Sequence, residues 1–312
     1  MTNTIYPQDN FSIPCGLKYG EKECYYCKHA KFASYIIIII LCPVAVVGNV
    51  LILAAIWKKT FQRTSFHVLL SGLALTDLCT GLITQPFYAG NALLYFTDPR
   101  AVIHRPVLIK IISTMSKVSL VYFGAVTLLI ITLMSIERWL HMSRRSSVTS
   151  HRGYVTATVL LLIPIPLGVF NAFNIINETC CREVDNASVA FILVCYVTTF
   201  SFYFKVLRII RQHRQRVEGN QPSQNFGHPA INLAKYKKSV VTIVYILAVF
   251  SICLLPITAS LTANAFIDSR LATEVATSFS LVLLFSSSSL NPGIYLWRMN
   301  DVHRGVKQLF CW

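Results

Sequence analysis

Stretches without a charged side chain recur along this chain, and they constrain its fold more than any other feature. A helix needs about 20 residues to cross the hydrocarbon of a bilayer, and tilting lets this length vary. Seven stretches qualify, at 32–57, 64–97 (interrupted by Asp77), 118–136, 153–177, 186–204, 239–267 and 275–297. The composition agrees, since 54% of the 312 residues are hydrophobic and 13% are charged. We therefore predict an all-α membrane protein, a seven-transmembrane helix bundle whose termini lie on opposite sides of the membrane.

The distribution of basic residues predicts which side is cytoplasmic. A net charge of +15 is also found in nucleic-acid-binding proteins, but here the charge follows the predicted topology. Of 28 Lys and Arg residues, 18 lie on the side of the C-terminus, nine lie on the other side, and Lys117 lies near a membrane edge. Cytoplasmic loops carry such an excess. We expect these loops to meet anionic membrane lipids and an intracellular protein, not nucleic acid, with the C-terminus in the cytoplasm.

Three glycosylation sequons lie on the opposite side of the predicted membrane. They begin at Asn10, Asn177 and Asn186. Their placement predicts an extracellular N-terminus and a glycoprotein of the plasma membrane. We therefore divide the chain into an extracellular segment at 1–31, a seven-helix membrane domain at 32–298, and an amphipathic helix with a short cytoplasmic tail at 299–312.

Five of the ten cysteines fall on the predicted extracellular side, where disulfides persist. These disulfide candidates are Cys15, Cys24, Cys27, Cys180 and Cys181. Because their number is odd, at least one is free, pairs with another chain or is not external. The spacing of Cys24 and Cys27 also occurs in zinc sites, but no second ligand pair accompanies it, so we expect disulfide bonding and no structural metal. Cysteines within the spans are expected to be buried thiols.

The last residues predict a short helix on the inner leaflet. In the segment 300–311, Val302, Val306 and Leu309 fall on one helical face, and charged residues fall elsewhere. This pattern is typical of an amphipathic helix that lies in the membrane interface. Cys311, near the inner membrane surface, is a candidate for S-acylation.

Polar residues interrupt the apolar stretches. Asn49, Asp77 and Asn291 each lie well inside a predicted span. One interpretation is that they only join helices, at about 0.6 kcal/mol for each hydrogen bond. The other is a hydrated, ion-binding switch, because a buried carboxylate needs polar partners. Pro256 and Pro292 remove helix hydrogen bonds and predict kinks that serve as pivots.

Glu137 and Arg138 close the uncharged stretch 118–136. An arginine near hydrocarbon costs about 2.5–3.5 kcal/mol on insertion scales, so an ion pair at this place is by default a functional hypothesis. The alternative is that Arg138 extends to the lipid headgroups as a topological anchor.

The motifs and their order resemble those of the rhodopsin-like (class A) family of G-protein-coupled receptors over essentially the whole chain. The matching residues are Gly48-Asn49-Val50, Leu73-Ala74-Leu75-Thr76-Asp77, Ser135-Ile136-Glu137-Arg138-Trp139, Tyr203, Phe250-Ser251-Ile252-Cys253-Leu254-Leu255-Pro256 and Asn291-Pro292-Gly293-Ile294-Tyr295. The resemblance implies a receptor that answers an extracellular ligand by activating a heterotrimeric G protein. It implies neither an enzymatic activity nor a cofactor, apart from an allosteric sodium ion.

The resemblance also assigns roles to residues. The sodium pocket of the resting state would consist of Asn49, Asp77, Thr127, Ser287 and Asn291. The activation switch would consist of Glu137, Arg138, Tyr203, Pro256, Asn291, Pro292 and Tyr295. Glu137 would hold Arg138 at rest, and helix six would then swing outward about Pro256 so that Arg138 receives the C-terminal helix of Gα.

The inner end of span six carries Tyr236, Lys237 and Lys238 and no acid that could pair with Arg138. We therefore predict a weak resting lock and some signalling without ligand.

Some residues depart from the family pattern. Ser113 replaces the usual cysteine of helix three, so the common external disulfide cannot form. Cys195 replaces the helix-five proline, and Leu254 replaces the helix-six tryptophan. The missing cysteine and proline are similar to the melanocortin, lysophospholipid and cannabinoid receptors, which favours a lipid or peptide ligand.

The resemblance places Lys117, Leu120, Leu254 and Phe285 at the ligand pocket. Leu120 stands where amine receptors have an aspartate, which argues against an amine. Phe285 stands where opsins have their Schiff-base lysine, which excludes retinal. Lys117 either pairs with a phosphate or carboxylate of the ligand or extends outward to the membrane surface.

Other classes of membrane protein fit the residues less well. A transporter needs inverted repeats with broken helices, a channel needs a ring of pore-lining charges, and an intramembrane enzyme needs converging catalytic groups. The remaining alternative is a divergent heptahelical ligand-binding or chemosensory protein with weak or no G-protein activation, because Leu254 and the altered external disulfide depart from the receptor pattern.

Overall fold

The computed structural model describes residues 21–58, 65–97, 105–143, 165, 169, 181–219, 233–263 and 270–310, and no β-strand occurs in those ranges. The α-helices are α1 (Glu21–Trp57), α2 (Ser65–Cys79), α3 (Gln85–Thr97), α4 (Pro106–Met142), α5 (Cys181–Gly219), α6 (Leu233–Ala263), α7 (Arg270–Arg298) and α8 (Asn300–Phe310). A π-helical turn at Thr80–Thr84 joins α2 to α3, so these elements form one rod.

The helices follow the predicted spans. Five segments are long and apolar enough to cross a membrane, and they lie in α1, in the α2–α3 rod, in α4, in α5 and in α7, while α6 contains a shorter apolar segment, Val244–Ser260. The predicted span four lies outside the described residues, except for Ile165 and Val169. The fifth helix extends beyond the charge-free stretch at 186–204 in both directions, since α5 spans Cys181–Gly219. The predicted short C-terminal helix is confirmed as α8.

One end of the first predicted span differs from the helix. The absence of charge places the start of span one at residue 32, whereas α1 begins at Glu21. The absence of charge marks the part of the chain that can lie in the hydrocarbon of the membrane. The helix itself can continue beyond that part, wherever its backbone hydrogen bonds can form. The boundary between the predicted extracellular segment and membrane domain therefore lies within a continuous helix.

The helices close into a bundle around α4 and α7. α7 packs against α6 on one side and α1 on the other, and it also touches α2 and α8. α4 packs against α2, α3, α5 and α6. Residues of α4 and α7 therefore contact several helices at once, which suits them to carry a site shared by the bundle.

The distribution of side chains is that of a membrane protein. Large apolar side chains such as Ile40 (61% exposed) and Val197 (66% exposed) point away from the bundle. Asn49, Asp77 and Asn291, in contrast, are buried. Water disfavours exposed apolar surface of this extent, whereas lipid tails accept it, so the exposed surface is suited to hydrocarbon.

The π-helical turn brings the α2–α3 rod close to α1. The Cys42 thiol donates a hydrogen bond to the Gly81 carbonyl, with an Sγ–O distance of 3.1 Å. A Cβ atom on Gly81 would lie 3.0 Å from Val46 Cγ2, so the absence of a side chain permits the approach. π-Bulges often occur at functional sites, and this one begins one turn after Asp77.

Candidate functional site

A direct hydrogen bond joins two buried polar residues that lie on different helices of the bundle. Asn291 Nδ2 of α7 donates to Asp77 Oδ2 of α2 at 2.7 Å. Both residues are buried. A hydrogen bond to a carboxyl group in a low-dielectric interior is strong, and losing one partner leaves the other unsatisfied. This bond therefore couples α2 to α7 near the middle of the membrane.

Asn49 completes the polar core because of a proline. Pro292 has no backbone N–H, so the carbonyl four residues before it, that of Ser288, lacks its helical partner. Asn49 Nδ2 donates to this carbonyl at 3.1 Å and to the carbonyl of Ala45 at 2.8 Å. One side chain of α1 thus satisfies the carbonyl that Pro292 leaves free in α7.

A second contact brings α1 and α7 together at the same level. A Cβ atom on Gly48 would lie 2.9 Å from Pro292 Cγ, and a proline ring cannot move aside as a flexible side chain can. Only glycine allows this approach of the two helices.

The remaining residues of the predicted sodium pocket lie around this core. Thr127 Oγ1 donates to Thr76 Oγ1 at 3.4 Å, beside Asp77. Ser287 Oγ donates to the Leu284 carbonyl of its own helix, at 2.6 Å. The serine hydroxyl that lies beside the Asp77 carboxyl group is that of Ser288. Sequence reasoning missed Ser288 because, in a run of four serines, only helix rotation decides which hydroxyl faces α2.

The oxygen atoms of the polar core are suitable ligands for a hard cation. Asn49 Oδ1 and Asn291 Oδ1 are buried, and neither has a hydrogen-bond partner within the described ranges. Together with the Asp77 carboxyl group and the Ser288 hydroxyl they form an all-oxygen set, the kind of ligand that hard cations prefer. These residues therefore fit a sodium ion.

The second polar group lies near the C-terminal end of α4. Arg138 Nε and Glu137 Oε2 are 3.3 Å apart, and both side chains are buried. The Arg138 guanidinium carbon also lies 4.2 Å from the ring centroid of Phe66, in the first turn of α2. Burial of this kind does not fit an arginine that extends to the lipid headgroups, so the ion pair belongs to the interior.

The contact with Phe66 was not predicted from the sequence. No sequence signal marks this phenylalanine, since an aromatic residue at the end of an apolar stretch is common in membrane helices. The contact follows from the packing of α2 against α4.

Two more groups contain a cation beside aromatic rings. Lys205 of α5 lies 5.1 Å from the ring centroid of Trp139 and 4.8 Å from that of Phe202. A further group is formed by Arg298, Tyr245 and Trp297, in which the cation lies 5.1 Å and 5.3 Å from the two ring centroids. The group of Arg298, Tyr245 and Trp297 joins the N-terminal half of α6 to α7.

The other residues of the predicted switch lie on three helices. Tyr295 of α7 is completely buried, and Tyr203 of α5 is partly buried. Pro256 lies inside α6, where its carbonyl accepts a hydrogen bond from Ser260 Oγ at 2.9 Å.

The residues predicted for the ligand pocket differ in burial. Leu254 and Phe285 are buried, Leu120 is partly buried, and Lys117 is exposed. Phe285 packs against Tyr88, with 5.6 Å between ring centroids, and its carbonyl accepts a hydrogen bond from Gln85 Nε2 at 3.5 Å. Lys117 therefore points away from the apolar interior that the other residues share.

For several predicted modification sites the structure does not describe the side chain. Asn10, Asn177, Cys15, Cys180 and Cys311 lie outside the described residues, and for Asn186, Cys24, Cys27 and Cys181 only the helical backbone is described. Of the cysteines within spans, Cys42, Cys79, Cys195 and Cys253 are free thiols.

Comparison with known proteins identifies the family. The sequence model of the 7 transmembrane receptor (rhodopsin family) matches residues 48–295. The chain is 23% identical over 291 residues to the adenosine receptor A2b of Canis lupus familiaris, covering 84% of each protein. It is 27% identical over 311 residues to the sphingosine 1-phosphate receptor 2 of Rattus norvegicus, covering 90% of this chain and 78% of that receptor. It is 23% identical over 303 residues to the histamine H2 receptor of Cavia porcellus, covering 90% and 80%.

The match extends from Gly48 to Tyr295 and so includes both polar groups described above. It confirms the predicted fold class, a seven-transmembrane bundle. Proteins of this family are receptors and need no cofactor. This chain therefore belongs to the rhodopsin family of seven-transmembrane receptors and is a multi-pass G-protein-coupled receptor of the plasma membrane, not an enzyme.

Proposed function

We propose that this receptor converts the binding of an extracellular lipid or peptide into activation of a heterotrimeric G protein through outward movement of α6. The observation that carries the proposal is the buried pair of Glu137 and Arg138 at the inner end of α4, with 3.3 Å between Nε and Oε2. A buried charge is retained in a membrane protein when it has a task, because it costs stability otherwise.

In this proposal the receptor has two global states, and Arg138 has a different partner in each. At rest Glu137 holds Arg138 inside the bundle. In the active state α6 swings outward about Pro256, Tyr203 and Tyr295 turn inward, and Arg138 contacts the C-terminal helix of Gα. A ligand shifts the equilibrium only by binding one state more tightly than the other.

A sodium ion fits the resting state of the polar core. Asp77, Ser288, Asn49 and Asn291 would hold it, with Thr127 and Ser287 close by. The two asparagine carbonyl oxygens without partners support this assignment. The ion would supply positive charge beside the buried carboxyl group, and its departure would free Asn291 to follow a movement of α7.

The proposed ligand class rests on the residues predicted for the pocket, not on the relatives. The relatives are named for adenosine, sphingosine 1-phosphate and histamine, so similarity at this level does not choose among ligands. Leu120 offers no carboxylate to an amine, and Leu254 and Phe285 are apolar side chains buried in the bundle. Apolar residues around a binding site suit an acyl chain or apolar peptide side chains.

The proposed orientation has the N-terminus outside and the C-terminus in the cytoplasm. The excess of Lys and Arg around α5, α6 and α8 supports it, as does the placement of the three sequons. The same basic surface would meet anionic lipid and the G protein.

The test compares Gα recruitment without ligand, per receptor at the cell surface, between the wild type and Arg138→Ala. We expect recruitment to fall to the level of mock-transfected cells in the variant. Arg105→Ala, which removes an exposed arginine at the opposite end of α4, is the matched control and should retain the wild-type level. Equal recruitment in the wild type and Arg138→Ala would contradict the proposal and favour a heptahelical ligand-binding protein without G-protein activation.

A further inference from the structure

We propose that Phe66 is a positioning residue for Arg138. Its ring holds the guanidinium against α2 in the resting receptor, and Arg138 leaves this ring when it receives the transducer. The inference rests on the proposed function of Arg138 and names what regulates it.

The geometry is that of a desolvated cation–π contact. The guanidinium carbon lies 4.2 Å from the ring centroid, inside the distance of about 6 Å at which such contacts attract. Phe66 is 3% exposed and Arg138 is 9% exposed. Removal of water strengthens the attraction between a cation and the electron-rich face of a ring.

Phe66 restrains Arg138 from a second helix, which Glu137 cannot do. Glu137 and Arg138 are neighbours on α4, so their ion pair moves with α4 and restrains no other helix. Phe66 lies on α2, and α2 packs against α4. The ring therefore ties the guanidinium to a second helix and fixes the direction in which it points.

The contact between Phe66 and Arg138 adds a restraint of the resting state that the sequence did not predict. The inner end of span six has no acid, and from this we expected a weak lock. Phe66 provides a resting restraint from α2. Release then requires Arg138 to change rotamer, not α2 to move away, so the restraint can persist until a transducer competes for the guanidinium.

The first experiment measures ligand-independent Gα activation per surface receptor in Phe66→Leu and Phe66→Trp. Leucine keeps an apolar side chain without a π face, whereas tryptophan offers the best face for a cation. Phe66→Leu should raise basal activation by about tenfold, which corresponds to about 1.4 kcal/mol of lost attraction. Phe66→Trp should stay at or below the wild-type level. Leu69→Ala, a buried change on the same helix, controls for a general loosening of α2 and should not raise activation.

A second measurement does not depend on how well Phe66→Leu folds. Fluorinated phenylalanines introduced at position 66 withdraw electron density from the ring face and keep its shape. Basal activation should rise stepwise from one to three fluorine atoms. A flat series, or a Phe66→Leu variant no more active than the wild type, overturns the role of Phe66.

The Phe66→Leu/Arg138→Ala double variant separates this inference from the proposed function. Loss of the raised activity in the double variant supports both. If Arg138→Ala abolishes activation but fluorination changes nothing, only the role of Phe66 fails. If Arg138→Ala has no effect in either background, the proposed function fails as well.

Discussion

In the proposed orientation, the inner half of the bundle buries the charged side chains Asp77, Glu137 and Arg138, whereas the described residues of the outer half bury neutral hydroxyl and amide groups. In the outer half Ser260 and Ser280 share a hydrogen bond of 3.2 Å between their hydroxyls, and Gln85 donates to a backbone carbonyl. The two halves therefore bury different kinds of polar group, charged in one and neutral in the other.

The difference reflects the cost of charge in a low-dielectric interior. A neutral hydroxyl can satisfy itself with the carbonyl one turn before it, as Ser260 and Ser280 do. A carboxylate or guanidinium needs partners from other residues, and here Asn291 and Phe66 supply partners from other helices for Asp77 and Arg138. Charge in the inner half therefore links helix positions to one another, while the outer half can vary its polar residues at low cost.

The largest effect on stability is expected from the bond between Asp77 and Asn291. Asn291→Leu leaves a buried carboxyl group without its 2.7 Å partner, which should cost about 3 kcal/mol of the free energy of unfolding. Thermal unfolding of the purified receptor measures this loss. The exchange variant Asp77→Asn/Asn291→Asp keeps a carboxyl–amide pair and should recover part of the loss. If neither the exchange variant nor Asp77→Asn in the Asn291→Leu background recovers stability, the two residues act independently.

A smaller effect is expected where α1 meets α7. Gly48→Ala would place a Cβ atom 2.9 Å from the Pro292 ring, and the resulting shift should cost about 1–3 kcal/mol in the same unfolding measurement. Gly293→Ala is the matched control, because a Cβ atom there meets no described atom within 4 Å. We expect that control to be neutral or slightly stabilising, since alanine favours a helix. Equal effects of the two changes would contradict the close approach of the helices.

The smallest effect is expected in the outer half. Ser260→Ala or Ser280→Ala should each cost about 1 kcal/mol or less, because each hydroxyl also has a carbonyl on its own helix. The double variant should lose little more than either single variant, since both singles remove the same bond between α6 and α7. A loss as large as that of Asn291→Leu would break the contrast between the two halves.

Sequence patterns predicted the described helices well but not the contacts between them. Charge-free stretches and motif order gave six of the spans seen here, and helical periodicity gave α8, because these features depend on residues close in the chain. The π-helical turn after Asp77, the approach of Gly48 to Pro292 and the choice of Ser288 over Ser287 depend on how one helix is rotated against another. That rotation follows from packing over many residues and leaves no local signal.

Sequence by itself determined that this chain is a multi-helix membrane protein with a costly ion pair at the inner end of one span and a carboxyl group deep in another. Both follow from the energy of placing charge in hydrocarbon, which is a property of each residue and its neighbours in the chain. Only the tertiary structure decided that Asn291 pairs with Asp77, that Asn49 occupies the carbonyl freed by Pro292, and that Phe66 lies on Arg138. These partners come from different helices, and their meeting depends on the packing that brings those helices together.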